Sequence, residues 1–184
     1  MRNRVGKLLV AHPNLPKDNW FYRTVVYIYS ETEQQTLGVT LNVPTTTTFR
    51  NICYNKGVIY PSDNPQVHKG GPVGQHSIVI LHTDDWIGKN TIQAGTSYRL
   101  TSDEIMFERL SLGDAPVYWR AFLGLTAWQP GQLDAELSGT FPYNATNSWL
   151  ICDANDDILF NCDGEQQWKQ AIELCSHQMI QRYF

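Results

Sequence analysis

Histidine is the side chain best suited to acid–base chemistry or metal binding near neutral pH, and this sequence contains five. His12 precedes Pro13, and His82 stands at the end of a predicted strand before Asp84 and Asp85. We predict that His12 and His82 are the functional pair, with the alternative that each only bonds a loop carbonyl. No two histidines have the i, i+4 spacing of a metal-binding helix and no C-x-x-C occurs. The sequence therefore predicts no metal site and no cofactor.

Lys69, Gly70, Gly71 and Pro72 form a second candidate. Two adjacent glycines can adopt the positive φ values of an anion-binding nest, and Lys69 adds a positive charge. Phosphate or a nucleotide is the ligand class that such a nest binds. The alternative is a plain turn between two strands, which the absence of a G-x-x-x-x-G-K-[ST] motif favours.

The segment from Trp128 to Leu133 is a third candidate. Trp128 closes a predicted strand, Pro130 and Gly131 shape a turn, and Gln132 begins a helix whose exposed N–H groups could bind a negative group or a partner's carboxylate. The alternative, a buried tryptophan packed under a turn, is favoured because aromatic side chains dominate core energetics.

Nucleophilic catalysis has little support in the sequence. The G-x-S-x-G motif is absent, and Cys175 lies on the apolar face of a predicted helix, where a thiol behaves as a small hydrophobic group. Cys152 and Cys162 flank acidic residues whose negative field would raise the thiol pKa values. These observations favour a non-enzymatic protein, with an enzyme as the open alternative. We interpret the cysteines as free thiols.

The elements that would position these residues are mainly strands. Residues 22–29 and 37–43 predict an antiparallel hairpin, and the alternation in the second run predicts one buried and one polar face. Residues 77–81 predict a further strand, and residues 91–94 and 97–100 predict two short strands joined at Gly95. Residues 117–126 are almost continuously apolar, which is typical of a central strand covered on both faces.

Four helices are predicted. Thr101 and Glu104 have the spacing of a capping box that would open a helix through Leu110. A second helix runs from Pro130 to about Leu137, and the threonine run at residues 45–48 could cap a short helix through Cys53. The last helix starts after Asp163 and carries one apolar stripe, formed by Trp168, Ala171, Ile172, Cys175 and Met179.

Length and charge bound the function. The chain has 184 residues, 14 basic and 18 acidic, for a net charge of −4. A protein that binds DNA clusters several Lys and Arg residues against phosphates, and no such run occurs, so we expect no direct nucleic-acid binding. No apolar stretch has the length of a membrane span or of a secretory signal. We predict one cytoplasmic domain, residues 1–184, that does not bind membranes.

Several segments in order resemble the YqgE/AlgH family of bacterial proteins. The most specific is G-x-x-x-W-x-x-G-Q-L-x-x-E, which runs from Gly124 to Glu136. The others are GKLLVAHPNLPKDNWFYRTVVYIY at residues 6–29, LGVTLNVP at 37–44, KGGPV at 69–73 and ILH at 80–82. The resemblance implies a single α+β domain in which a largely antiparallel, mixed sheet curls toward a pseudo-barrel flanked by helices. Some members of this family are labelled transcriptional regulators, so the resemblance implies a regulatory role. The acidic charge balance of this chain favours an indirect effect on transcription, through a protein partner.

Two functions follow as hypotheses, and neither predicts the oligomeric state. The preferred one is a non-enzymatic regulatory module that recognises an unidentified protein partner. The alternative is a small-ligand, nucleotide or anion-binding protein with at most weak hydrolytic activity. The candidate binding residues for the two hypotheses together are His12, Asn14, Trp20, Phe21, Gly70, Gly71, Pro72, His82, Trp128, Gly131, Gln132 and Glu136.

Overall fold

A computed structural model describes residues 3–140 and 148–181, which form ten strands and four α-helices. The strands are β1 (Lys7–Ala11), β2 (Val25–Glu31), β3 (Thr36–Thr40), β4 (Pro44–Thr48), β5 (Gln66–Lys69), β6 (Val73–Thr83), β7 (Thr91–Gln93), β8 (Tyr98–Thr101), β9 (Trp119–Trp128) and β10 (Trp149–Asp153). The helices are α1 (Phe49–Asn55), α2 (Ile105–Ser111), α3 (Gln132–Ser138) and α4 (Gly164–Gln181), and a π-helical turn covers Asp157–Asn161.

All ten strands belong to one mixed sheet with β9 near its centre. The main path has the order β10-β1-β2-β3-β9-β6-β8-β7, and β5 pairs with both β4 and β9. The β5–β9 pair is parallel, whereas the others are antiparallel. The central position of β9 confirms the prediction made from its continuous apolar run.

The predicted hairpin is formed by β2 and β3, with boundaries that differ from the prediction. β2 starts at Val25 rather than Tyr22, and β3 ends at Thr40 rather than Val43. The polar face predicted for β3 is not exposed to solvent, because Gly38 and Thr40 are buried. A Cβ on Gly38 would lie 2.7 Å from the Val26 side chain of the neighbouring strand β2, so this position leaves no room for a side chain.

Two main chains approach each other where the turn after β5 crosses β9. The Gly70 N–H donates to the Leu123 carbonyl at 2.8 Å, and the Gly70 carbonyl accepts from the Thr40 N–H at 2.8 Å. A Cβ on Gly70 would lie 2.1 Å from the Gly124 carbonyl oxygen, and Gly124 itself has φ +73°. Only glycine can occupy these two positions without displacing the backbone.

The helix boundaries show which local signals determine the helix starts. Thr48 caps α1 through a capping box with Asn51, as the threonine run predicted. The predicted capping box of Thr101 and Glu104 is wrong, because Thr101 is the last residue of β8 and Glu104 makes no side-chain cap. The Asp103 carboxylate instead accepts from the Ile105 N–H at 3.1 Å.

Alternate residues of the central strands face two separate cores. Phe122 and Leu81 belong to the larger core, which α4 covers with Trp168, while Ala121 and Ile80 belong to a smaller core with α1 and α2. The predicted stripe of α4 is buried at Trp168, Ala171 and Cys175, whereas Met179 at its end is 48% exposed.

We expect Gly70→Ala to lower the free energy of unfolding by about 3 kcal/mol or more, because the added methyl group must push two main chains apart. Gly57→Ala is the matched control: its φ is +75°, but a Cβ there meets nothing within 4 Å, so the loss should be about 1 kcal/mol. Urea unfolding of the three proteins measures the difference. Equal losses for the two variants would contradict the close approach.

Candidate functional site

The side chain of Glu136 on α3 holds two tryptophans. Its Oε2 accepts from the indole N–H of Trp128 at 3.0 Å and of Trp149 at 2.7 Å, and its Oε1 accepts from the Gln132 amide at 2.9 Å. Both indoles are almost fully buried, at 1% and 4% exposure. A buried indole N–H requires an acceptor, so Glu136 satisfies two donors that lie in different strands.

Phe21 extends this cluster toward the surface. Its ring stacks with Trp128 at a centroid distance of 6.3 Å and meets the edge of Trp149 at 5.0 Å. Trp20 packs edge-on against Phe21 at 4.8 Å and is itself 43% exposed. Of the two loop aromatics predicted as binding residues, Trp20 is exposed, whereas Phe21 is half-buried.

The turn between β9 and α3 is closed by its own hydrogen bonds. The Gln132 Oε1 accepts from the Gln129 N–H, and the Gln132 N–H donates to the Gln129 carbonyl, both at 3.0 Å. Gly131 takes a left-handed conformation with φ +77°. The helix begins at Gln132, as one prediction had it, whereas the predicted start at Pro130 is wrong because Gly131 is the left-handed cap. The N–H of Gln132 is already engaged, and α3 has only seven residues.

A cleft of about 300 Å³ lies beside this turn. Arg4 borders the cleft and pairs with Glu31 at 3.0 Å and with Asp134, and both Arg4 and Glu31 side chains are more than 90% buried. These ion pairs were not predicted, because Arg4 is far from Glu31 and Asp134 in the chain and Asp134 occupies an unspecified position of the Gly124–Glu136 motif.

His12 and Asn14 lie next to the aromatic cluster. The His12 N–H donates to the Ser148 carbonyl at 2.9 Å, one residue before Trp149. The Nδ1 of His12 accepts from the Asn14 N–H at 3.2 Å, which shapes the start of the loop that carries Trp20. The structure thus brings His12, Asn14, Trp20 and Phe21 together with Trp128, Gln132 and Glu136.

The Gly70–Pro72 turn contacts a different part of β9. The Gly70 N–H, which an anion nest would need, donates to the Leu123 carbonyl, and the Gly70 carbonyl also accepts from the Thr126 hydroxyl at 3.2 Å. Gly70 and Gly71 are buried, whereas Pro72 is exposed. This geometry fits the alternative of a turn between two strands.

His82 is fully buried on β6 and forms no pair with His12, because three strands lie between β1 and β6 in the sheet. Its Nδ1 bonds the Thr83 carbonyl at 2.7 Å, and its Nε2 bonds the Thr101 hydroxyl at 2.8 Å. Thr101 in turn bonds the Thr91 hydroxyl at 2.7 Å, and the Thr91 hydroxyl accepts from the Gly88 N–H. This polar chain satisfies both ring nitrogens of His82, and burial lowers the pKa of His82.

Arg120 on β9 is a partly buried charge. Its guanidinium donates to the carbonyls of Leu41 at 3.2 Å, Phe160 at 3.3 Å and Cys162 at 2.8 Å, and burial lowers its pKa. A lone arginine within the apolar run of residues 117–126 was the sequence signal that could have revealed this clamp. Nearby, His68 bonds Asp163 at 2.9 Å; burial acts to raise the pKa of Asp163, but His68 and Arg120 lower it overall.

Cys152 and Cys162 have raised pKa values, for reasons only partly predicted. A hydrogen bond with Cys175 raises the pKa of Cys152 most, followed by burial, with Asp153 contributing less. For Cys162, burial is the main cause of the raised pKa, ahead of Asp163 and Asp157.

In the part of the chain that the structure describes, no three His, Cys, Asp or Glu side chains cluster as metal ligands. Within those same ranges, no helix is both long and apolar enough to cross a membrane.

A profile of the AlgH-like family matches residues 8–180, nearly the whole chain. The chain belongs to the AlgH-like family. This confirms the resemblance seen in the sequence motifs. Among its AlgH-like relatives, a UPF0301 protein of Shewanella loihica is 34% identical over 170 residues, which cover 90% of this chain and 88% of that protein. A UPF0301 protein of Rhizobium meliloti is 28% identical over 178 residues, which cover 92% of this chain and 85% of that protein.

Two solved structures share the AlgH-like fold. The solution structure of AlgH from Pseudomonas aeruginosa matches with a TM-score of 0.75 and 25% identity, covering 92% of this chain and 87% of that one. A crystal structure of a Corynebacterium diphtheriae protein matches with a TM-score of 0.71 and 21% identity, covering 93% and 86%, and supports the fold alone. The predicted α+β class is confirmed as one domain with a curled, mainly antiparallel sheet and several helices.

We expect Glu136→Ala in this AlgH-like domain to lower the free energy of unfolding by about 3 kcal/mol, because two buried indole N–H groups lose their acceptor at about 1–3 kcal/mol each. Glu33→Ala removes an exposed glutamate from the β2–β3 turn and should cost little. Urea unfolding followed by tryptophan fluorescence measures both. A Glu136→Ala variant as stable as Glu33→Ala would contradict the network.

The stability of the AlgH-like domain should fall as the pH is lowered from about 7.5 to about 5.5. The pKa of His82 in the folded protein lies below its ordinary value of 6.5, so the unfolded chain binds the proton more tightly. His82→Gln should be less stable but should lose part of this pH dependence. His76→Gln, at an exposed position of the same strand, should keep the wild-type dependence. Identical slopes for the two variants would refute the assignment to His82.

Proposed function

We propose that this AlgH-like protein is a non-enzymatic, cytoplasmic interaction module that binds a protein partner through its exposed loop tryptophan. The binding surface, here called the Trp20 surface, consists of residues 14–20 and the neighbouring β9–α3 turn. The observation that carries the proposal is the placement of Trp20, which is 43% exposed while its ring rests on Phe21.

The base beneath Trp20 is rigid. Phe21 is held between two tryptophans whose indole nitrogens are both fixed by Glu136. A rigid base reduces the side-chain entropy that an exposed aromatic loses when a partner covers it. Tryptophans in such positions often dominate binding energy at protein interfaces, which supports recognition as the use of this surface.

The charge balance supports an indirect role if the module influences transcription. The net charge is −4, and the sequence has no cluster of basic residues that could follow a phosphate backbone. Any regulatory effect would then pass through the partner rather than through DNA. Retention on DNA at physiological salt would contradict this part of the proposal.

The ligand-binding alternative receives less support from the geometry. It needs Gly70, His82 and Gln132 to converge, yet Gly70 is bonded to Leu123 in the middle of β9 and His82 is bonded to Thr101. The N–H groups of Gly70 and Gln132 both have main-chain acceptors. The scattered placement of these residues favours partner binding over a common ligand pocket.

The Trp20→Ala variant tests the proposal. Tagged wild-type protein should capture a specific partner from a bacterial lysate, and Trp20→Ala should weaken that capture about tenfold or more, as expected for a central interface tryptophan. Tyr54→Ala removes another exposed aromatic, on α1, and should leave capture unchanged.

The partner identified by mass spectrometry would then be titrated against all three purified proteins. Circular dichroism confirms that each variant is folded. Equal affinity of wild type and Trp20→Ala, or failure of the wild type to enrich any protein, would contradict the proposal.

A further inference from the structure

A groove of about 530 Å³ lies between α1 and α2, on the smaller core and away from the Trp20 surface. Its apolar floor is formed by Ile52 of α1, Ile78 of β6, Met106 and Phe107 of α2, and Leu123 of β9. Met106 and Phe107 are buried, whereas Ile52, Ile78 and Leu123 remain half-exposed. The groove therefore offers apolar surface that nothing in the described residues fully covers.

One wall of the groove is an open edge of the sheet. β8 pairs with β6 from Thr83 to Ile80 and then leaves the sheet after Thr101. Among the described residues, no main-chain hydrogen bond continues the β6–β8 ladder beyond Ile80. Ile78 and Val79, which precede Ile80 on β6, thus have a neighbouring strand on the β9 side only.

The direction of the unpaired groups follows from the alternation of an antiparallel ladder. The Thr83 N–H donates to Tyr118, on the β9 side, so every second residue back to Val79 also faces β9. Ile80 faces β8, with which it pairs, and Ile78 faces the same edge after β8 has left. Ile78 consequently presents both its N–H and its C=O to the groove.

Two other edges of the sheet, at β10 and β7, are protected. On the outer strand β10, the side-chain amide of Gln178 accepts from the Asp153 N–H at 2.7 Å and donates to the Asp153 carbonyl at 3.3 Å. The edge strand β7 has only three residues. Natural sheets commonly cover or shorten their edges in these ways, so an uncovered edge beside an apolar floor is a template for strand addition.

The charges at the groove rim indicate what kind of segment fits. Lys56 pairs with Glu104 at 2.7 Å, and its ammonium lies 5.0 Å from the centre of the Phe107 ring. The two opposite charges satisfy each other, so the rim leaves no net charge to attract an ionic group. An uncharged segment complements this rim, whereas a charged one would lose hydration without gaining a partner.

We propose that this groove binds an extended, uncharged and apolar segment of a partner protein by strand addition to β6. The segment's main chain pairs with the N–H and C=O of Ile78, and one of its apolar side chains packs on Ile52, Leu123 and Phe107. This interaction is separate from the Trp20 surface, so either can fail without the other.

The experiment uses a phage-displayed library of random dodecapeptides panned against the full-length protein. Enriched peptides should be uncharged, with alternating apolar residues. When a synthetic enriched peptide is bound, hydrogen exchange of the Ile78 amide should slow about tenfold or more, because the amide gains an acceptor. Ile52→Glu places a charge in the floor and should weaken peptide binding about tenfold or more.

Tyr54→Glu is the matched control, since it adds the same charge on α1 at a side chain that is 80% exposed and outside the groove. It should leave peptide affinity unchanged. Absence of enrichment, an unchanged exchange rate at Ile78, or equal binding by folded Ile52→Glu would each overturn the proposal. A concentration-dependent dimer that Ile52→Glu abolishes would also overturn it, by showing that a second copy fills the groove. If Ile52→Glu does not fold, the exchange rate of Ile78 in the wild type decides.

Discussion

The close passage of two main chains at Gly70 and Gly124 is the constraint on which the rest of the sheet depends. β9 pairs with β3, β5 and β6. After β5 the chain turns directly over β9 and then continues into β6. Because glycine has no side chain, the Gly70 N–H can donate to the Leu123 carbonyl while the Gly70 carbonyl accepts from the Thr40 N–H. Backbone hydrogen bonds on both sides of one crossing therefore hold the two parts of the sheet together.

The aromatic cluster follows from the end of the same strand. Trp128 terminates β9, and the turn through Gly131 brings α3 back so that Glu136 reaches the Trp128 indole. The same carboxyl oxygen bonds Trp149, which fixes the outer strand β10 relative to α3. One carboxylate thus accepts hydrogen bonds from two buried indole N–H groups. The base of the Trp20 surface is therefore a consequence of core packing.

Long patterns in this sequence were predictive, whereas short ones were not. β9 and α4 were predictable because their apolar patterns run over ten or more residues, and a tertiary contact rarely overrides so many positions at once. The capping box at Thr101 failed because Thr101 is still part of β8, where its hydroxyl bonds His82 and Thr91, and Asp103 accepts from the first N–H of α2 instead. The grouping of Trp128 with Glu136 was visible in one motif, but the second indole, Trp149, and the Arg120 clamp depend on segments that only the fold brings together.

The two proposed surfaces rest on different cores, so the packing beneath one surface is separate from the packing beneath the other. Phe21 beneath Trp20 packs on the larger core, while Phe107 beneath the groove belongs to the smaller one. The two cores meet only across the sheet, where β9 contributes Phe122 to one and Ala121 to the other. A partner segment added at Ile78 would extend hydrogen bonding in the sheet without moving Glu136. The two proposed surfaces are therefore compatible with two partner segments bound at once.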